Sequence, residues 1–399
     1  MAEKNEKIQN SALQAAYIHE ELIKALEKNS ELVAAISDTA TGVTISNPRL
    51  PDNPVIYANQ GFVTLTGYSL DEVLHRNCRF LQGEGTDKQT IKEIEAAIQS
   101  HKPISVELLN YRKDGTPFWN ELSITPVFDE AGEILYFVGL QQDVTRRKRA
   151  EQQLQNEITF AKRIQQSVLT PPIHRERIMI DAAYIPSEQL AGDMYGWYEI
   201  DENRYGILLL DVVGHGIGAS LISMSICSLL HGLITRLIDP IKVARELNRH
   251  MRNLYREEAQ IIPNYFTALY AVIDLKKKEI EYVNAGHPPG IILTAGGRAE
   301  KLVEGTIPLG LLSSINIKKG RFTYRGMDAV EPLRLILYTD GLVEKEGKST
   351  DETIAKLIAF LRDHRHADNG ALIERVVAEF NQQSDTSDDI CLISATIYP

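Results

Sequence analysis

From Val144 to Leu169 the chain reads VTRRKRAEQQLQNEITFAKRIQQSVL, with no glycine or proline, and Pro171-Pro172 follows at once. Arg, Lys, Glu, Gln, Leu and Ala are good helix formers, and the prolines cannot continue a helix. A long helix therefore cuts the chain in two. Leu154, Ile158, Ala161, Gln165 and Val168 recur at alternating steps of four and three, the spacing of a coiled-coil seam. The same stripe would serve a connector lying on a neighbouring domain. Short strand-like runs flank the helix on both sides, so it reads as a linker, residues 144–172, between independent domains.

The totals limit the function classes. At 399 residues the chain has room for separate cores. A net charge of -11 argues against a nucleic-acid or anionic-membrane binder. The Arg146-Arg147-Lys148-Arg149 run opens a polar helix and reads as a solvated face. No run approaches the ~20 apolar residues of a membrane span, and the charged MAEKNEKIQN start lacks a signal-peptide core. Cys78, Cys227 and Cys391 are too scattered for a disulfide framework or a zinc set; the expectation is a reduced, cytoplasmic protein. In residues 1–35, Ile8, Ala12, Ala15, His19, Leu22 and Leu26 mark an amphipathic helix. It either covers the following domain or, with the linker, pairs two copies as a homodimer.

Residues 36–143 change to short strands and turns. Val55-Ile56-Tyr57-Ala58 reads as a strand, Lys113-Asp114-Gly115 as a hairpin turn, and ILYFVGLQQDV as a last strand before the linker. A small mixed domain with one apolar sheet face could hold a flat ligand. The run Asn77-Cys78-Arg79-Phe80-Leu81-Gln82, with LNYRKDG, FWN and FVGLQ downstream, resembles the LOV (light, oxygen, voltage) photosensors, PAS-fold domains that bind flavin mononucleotide (FMN). In that family the matching cysteine forms a reversible thioether with a flavin ring carbon after blue light. The resemblance implies Cys78 as the adduct residue and Asn77 and Gln82 as flavin contacts. It also implies Asn110 and Asn120 on the polar ring edge, Gln141 near the ring nitrogen, and Arg79 on the phosphate. Two positions depart from the family pattern. His75 stands where glycine is usual, and Glu95 replaces a second phosphate-binding arginine, a change that Lys88 or Lys92 could offset.

After Pro172, strand-like runs (YGILLLDVV, YFTALYAVIDL, EIEYVNA, RLILYTD, DICLISATI) alternate in hairpin pairs with blocks of helix at about 217–237, 240–257, 351–364 and 369–383. That pattern predicts an antiparallel α+β layered domain. Asp193, Asp211, Asp340 and Asp388-Asp389 each sit at a strand end beside small or turn-forming residues. So many carboxylates share a pocket only with cations between them, and oxygen ligands select hard ions. With NAGHPPG and IPLG, these motifs resemble the metal-dependent protein phosphatases (the protein phosphatase 2C group), most closely the sporulation-stage-II-E type. The resemblance covers about residues 178–399. It implies two Mn²⁺ or Mg²⁺ ions held by Asp193, Asp211, the Val212 carbonyl, Asp340 and Asp388, with Asp389 a further ligand or a support. Gly196 stands where a second acidic residue is frequent, and His215 and His287 are taken as packing residues.

The combined expectation is an α+β chain with an N-terminal helix, a PAS/LOV sensor, a linker helix and an α-β-β-α phosphatase domain. It would be a blue-light-regulated Ser/Thr protein phosphatase whose substrate is a phosphorylated STAS-domain anti-sigma-factor antagonist. A light-switched scaffold with little turnover, or a phosphatase governed by another PAS ligand, remain as alternatives.

Overall fold

A computed structural model describes residues 41–214, 216–254, 265–324, 332–344, 347, 349–381 and 388–398. The expected helix at 1–35, and any pairing through it, lies outside the described residues, as does His215. The chain divides into two compact units, Met1–Gln155 and Asn156–Pro399. The boundary falls inside the linker helix rather than at either end of it.

In the N-terminal unit β1 (Gly42–Ser46), β2 (Val55–Ala58), β3 (Ile104–Tyr111), β4 (Pro117–Phe128) and β5 (Ile134–Asp143) form one antiparallel sheet, ordered β2-β1-β5-β4-β3. Lys113-Asp114-Gly115 makes the β3–β4 turn, with Gly115 at φ +84°. Short helices α1 (Gln60–Thr66) and α2 (Leu70–Val73), a 3₁₀ turn (Cys78–Leu81) and α3 (Lys88–Gln99) follow β2. Val55, Phe62, Val73 and Leu81 form the small core between them. Asn59 caps α1 while its Oδ1 also accepts from Val43 N, which ties helix to sheet.

The linker helix α4 runs Thr145–Val168. In the N-terminal unit its first turns are held by Arg147 and Lys148, both paired with Glu107. The basic run is thus partly neutralised by the sheet, as a solvated face should be. In the C-terminal unit its last turns are held differently. Ile158, Ala161 and Val168 are half-buried and Gln165 is buried, whereas Leu154 stays 56% exposed. At its end the stripe is occupied by the helix's own unit, with Val168 packed on the core and Gln165 bonded to Ala191 and Tyr184, so Gln165 does not lie on an open coiled-coil seam.

The C-terminal unit stacks two six-stranded, mainly antiparallel sheets. One contains β8 (Met194–Asp201), β9 (Arg204–Val212), β10 (Phe266–Asp274), β11 (Glu279–Ala285), β14 (Gly305–Thr306) and β15 (Gly320–Thr323), ordered β14-β11-β10-β9-β8 with β15 added beside β11. The other contains β6 (Ile173–Arg175), β7 (Ile178–Ile185), β12 (Gly290–Leu293), β13 (Ala299–Leu302), β16 (Leu333–Tyr338) and β17 (Ile390–Ile397), ordered β13-β12-β16-β17-β7-β6. Ile180, Trp197, Ile207, Leu269, Leu335 and Ile393 fill the space between the sheets. Helices α5 (Gly216–Leu237) and α6 (Pro240–Leu254) cover the first sheet; α7 (Thr350–Asp363) and α8 (Asn369–Asn381) cover the second. This is the expected α-β-β-α layering. One sequence expectation fails: α5 is long and apolar enough to span a membrane by composition. Ala219, Ile222, Ile226, Leu230 and Leu233 of α5 pack into the core below the sheet, which accounts for its apolar content.

Candidate functional site

Strand register gathers the aspartates. Met194 pairs with Leu210 across β8–β9, which sets Asp193 beside Asp211 at the same strand ends. Tyr338 pairs with Leu392 across β16–β17, so Asp340 and Asp388-Asp389 lie together at the equivalent ends of the second sheet. The approach there is close: a Cβ on Gly341 would lie 2.1 Å from the Asp389 carbonyl oxygen. A Cβ on Gly192 would meet the Val212 carbonyl at 2.9 Å, so that carbonyl abuts the loop carrying Asp193.

The electrostatics follow from this placement. Asp193 is buried, and its Oδ2 has no hydrogen-bond partner among the described residues. Burial first and the Asp211 charge second push its pKa well above the carboxylate range, against a hydrogen bond from Thr339. Asp211 is pushed up to about 7 by burial, then by Asp340 and Asp388. Asp340 is pushed up to about 6 by burial, then by Asp388 and Glu344. Among the described residues no three acidic, imidazole or thiol groups are drawn close enough to chelate one ion outright. Mutually repelling carboxylates without a counter-charge are expected to stand apart in this way.

Asp389 behaves differently. Its Oδ1 accepts from Ser187 N and Oγ, each at 2.8 Å, and its Oδ2 from Gly192 N at 2.8 Å. Asp389 thus braces the Asp193 loop, one of its two expected roles, while its Oδ2 keeps a second lone pair that a cation could use. Gln165 holds the same loop from the other side. Its Nε2 donates to Ala191 O at 2.8 Å, while its Oε1 accepts from Ala191 N at 3.2 Å and Tyr184 Oη at 3.1 Å. His287 is buried, with Nδ1 2.7 Å from Thr267 Oγ1, and burial pushes its pKa down to about 3. It is therefore neutral near pH 7, and its Nε2 is buried without a hydrogen-bond partner among the described residues. A Cβ at Gly196 would stand 3.3 Å from Tyr198 and 3.5 Å from Leu230, so a side chain there would press on the Tyr198 ring.

In the N-terminal unit a cavity of about 600 Å³ is lined by every expected flavin residue: Asn77, Cys78, Arg79, Gln82, Asn110, Asn120 and Gln141. Asn120 Nδ2 donates to Asn110 Oδ1 at 2.9 Å, and Gln141 Nε2 to Thr44 Oγ1 at 3.0 Å. Asn120 Oδ1 and Gln141 Oε1 are buried without partners among the described residues, which fits a ligand edge that donates hydrogen bonds. Burial pushes the Cys78 thiol up to about 11, against a hydrogen bond from Thr44. Two residues are engaged otherwise than expected. The Asn77 amide caps the 3₁₀ turn and donates to the Asp52 carbonyl at 2.6 Å, and Arg79 is ion-paired with Asp52. Lys88 and Lys92 do not line the cavity, whereas Glu95 does.

Residues 201–398 match the family model described as Stage II sporulation protein E (SpoIIE), and residues 41–146 match a PAS domain. The C-terminal unit thus carries, over residues 201–398, a domain of the SpoIIE phosphatase type. The chain is similar to the phosphoserine phosphatase RsbP of Bacillus subtilis, 37% identical over 242 residues. The match covers 59% of this chain and 57% of that protein, so the chain spans little more than half of its relative. A blue-light-activated histidine kinase of Brucella anthropi is 47% identical over 119 residues, which is 30% of this chain and 24% of the kinase. The light-state structure of the Aureochrome1 LOV domain is 46% identical, covering 32% of this chain and 97% of that one, with a TM-score of 0.27.

Several supports of the SpoIIE site were not singled out from sequence: Thr339, Ser187, Ala191 and Tyr184. None carries a charge or a recurring motif, and their roles arise from chain segments up to 202 residues apart. In the cofactor cavity Thr44 and Asn53 were also missed. Asn53 sits at φ +48° with a buried Oδ1 lacking a partner among the described residues.

Proposed function

We propose that the protein is a blue-light-regulated, metal-dependent phosphatase of phosphoserine and phosphothreonine on a protein substrate. The observation that carries the reading is the buried Asp193, with an orphan oxygen, facing Asp211 and in the field of Asp340. Such a group either takes up protons or meets cations, and hard divalent ions suit an all-oxygen set. Asp193, Asp211, the Val212 carbonyl, Asp340 and Asp388 are the groups that would hold Mn²⁺ or Mg²⁺. When bound, a pair of such ions supplies an acidified water and stabilises charge on the phosphoryl group.

The chain's own residues do the remaining work. Asp389 and Gln165 fix the loop that presents Asp193, and Gly341 lets the Asp340 and Asp388 segments meet. Neutral His287 is unsuited to protonate a leaving group. In the sensor, Asn110, Asn120 and Gln141 would orient a flavin, FMN in the family it resembles, with its ring near Cys78. The flavin supplies light absorption and a reactive ring carbon; Cys78 holds a neutral thiol ready beside it. Similarity to RsbP and to light-activated kinases supports coupling of the two units through α4. A STAS-type phosphoprotein is the proposed substrate, in a cytoplasmic setting consistent with three free cysteines.

The test is Mn²⁺-dependent hydrolysis of a phospho-STAS protein in darkness and under blue light. Different rates support the reading, and equal rates would uncouple the units. Asp211→Asn or Asp340→Asn should lower turnover by about a thousandfold or more, the scale lost when a transition-state charge partner is removed, while leaving the absorption photocycle unchanged.

A further inference from the structure

The cofactor cavity has unlike ends. Its inner lining carries the buried amides of Asn110, Asn120 and Gln141, each 1–3% exposed. Its mouth carries the exposed side chains of Asp52, Arg79, Glu95 and Gln99. A flavin that puts its polar ring edge on the inner amides must send its ribityl tail toward that mouth. Arg79 is the one cationic side chain among the described residues lining the cavity, and it is already ion-paired with Asp52. Glu95 has no ion-pair partner among the described residues. The mouth thus offers one committed cation and two carboxylates to whatever the tail carries. A dianionic phosphate would gain little from Arg79 beyond what Asp52 provides and would be repelled by Glu95. A neutral hydroxyl tail would suffer neither effect.

We propose that Glu95 removes the usual advantage of a phosphorylated flavin, so that this cavity takes riboflavin about as readily as FMN. The proposal rests on the flavin reading of the sensor. Glu95 acts as a selectivity residue toward the tail, while the ring and Cys78 are untouched by the choice.

Apoprotein of the full chain is titrated in darkness with riboflavin and with FMN, and Kd is read from quenching of flavin fluorescence. The two Kd values should agree within about threefold at physiological salt. Lowering salt should weaken FMN relative to riboflavin, because the unscreened mouth repels the phosphate. Glu95→Arg should tighten FMN by about tenfold or more and leave riboflavin unchanged, and Glu95→Gln should give a smaller shift in the same direction. The position is exposed on α3, and the salt series on unaltered protein needs no variant. FMN more than about tenfold tighter than riboflavin in the unaltered protein would overturn the proposal. So would an FMN-to-riboflavin ratio that ignores both salt and Glu95→Arg. Binding of neither flavin would overturn the flavin reading itself, and the proposal with it.

Discussion

His75 has a φ of +64°, the left-handed region, on an exposed loop between α2 and the 3₁₀ turn of Cys78. The glycine usual at this position in LOV domains has a conformational reason, and this chain tolerates the strain without it. Glycine there relieves about 1–2 kcal/mol of backbone strain and costs about 0.5–1 in unfolded-chain entropy. His75→Gly should therefore stabilise the N-terminal unit by about 0.5–1 kcal/mol, measured by thermal unfolding. Cys78 gives a second prediction at this scale. With its pKa raised to about 11, the thiol stays neutral at pH 9.5 and ionises only as pH climbs through the raised value. A free cysteine, near 8.5, would be mostly thiolate at that pH. The dark-state S–H infrared band should persist at pH 9.5. These residues were singled out in the sequence because the run Asn77–Gln82 resembles the LOV family, not because of their spacing alone. Which partner each one keeps was not legible, as Arg79 paired with Asp52 shows.

The linker helix was legible as an element, and its ends were right to within a residue: 144–169 expected, Thr145–Val168 found. Its partner was not, because a four-three stripe fits a second helix or a domain surface equally well. The buried, triply bonded Gln165 decides for the surface. Gln165→Leu leaves the Ala191 N–H, the Ala191 carbonyl and the Tyr184 hydroxyl without this partner. The expected cost is about 1–3 kcal/mol in urea unfolding of the C-terminal unit. The Mn²⁺ concentration needed for half-maximal phosphatase activity should rise several-fold, because the Asp193 loop loses one of its two anchors. An unchanged Mn²⁺ requirement would leave Gln165 a purely structural residue. At the 3₁₀ turn of Asp340–Leu342, the 2.1 Å approach to the Asp389 carbonyl makes Gly341 sterically obligatory. Gly341→Ala should abolish metal-dependent turnover even where circular dichroism shows retained secondary structure.

The whole molecule carries a pH signature that depends on metal. In metal-free protein, the pKa values of Asp211 and Asp340 are raised to about 7 and about 6, and that of Asp193 is raised further. The folded state then binds more protons than the unfolded one. This contribution is fully present below the ordinary carboxylate pKa and is lost as pH rises through the raised values. His287 opposes it, since a pKa depressed to about 3 makes folding less favourable as pH falls below 6.5. Three carboxylates outweigh one imidazole, so chelator-treated protein should melt at a higher temperature at pH 5.5 than at pH 8. Saturating Mn²⁺ should raise the melting temperature at pH 8 and remove most of that difference. An antiparallel, layered α+β C-terminal domain followed from hairpin-spaced strand patterns, whereas the pairing of β1 with β5 and of β17 with β7 joins distant segments and was not legible. Asp193 opposite Asp211 was not legible either, because strand register is set by side chains meeting across the sheet.

β17 lies between β16 and β7 in the middle of its sheet, and the residues just before it supply Asp388 and Asp389. A growing polypeptide that has emerged only as far as α8 already holds Asp193, Asp211 and Asp340, yet β7 and β16 have no strand to join them. The ribosome must deliver the segment up to Ile397 before that gap closes, and the same insertion brings the brace of the Asp193 loop into place. Closure of the second sheet and delivery of Asp388 and Asp389 to the site are thus one and the same folding event.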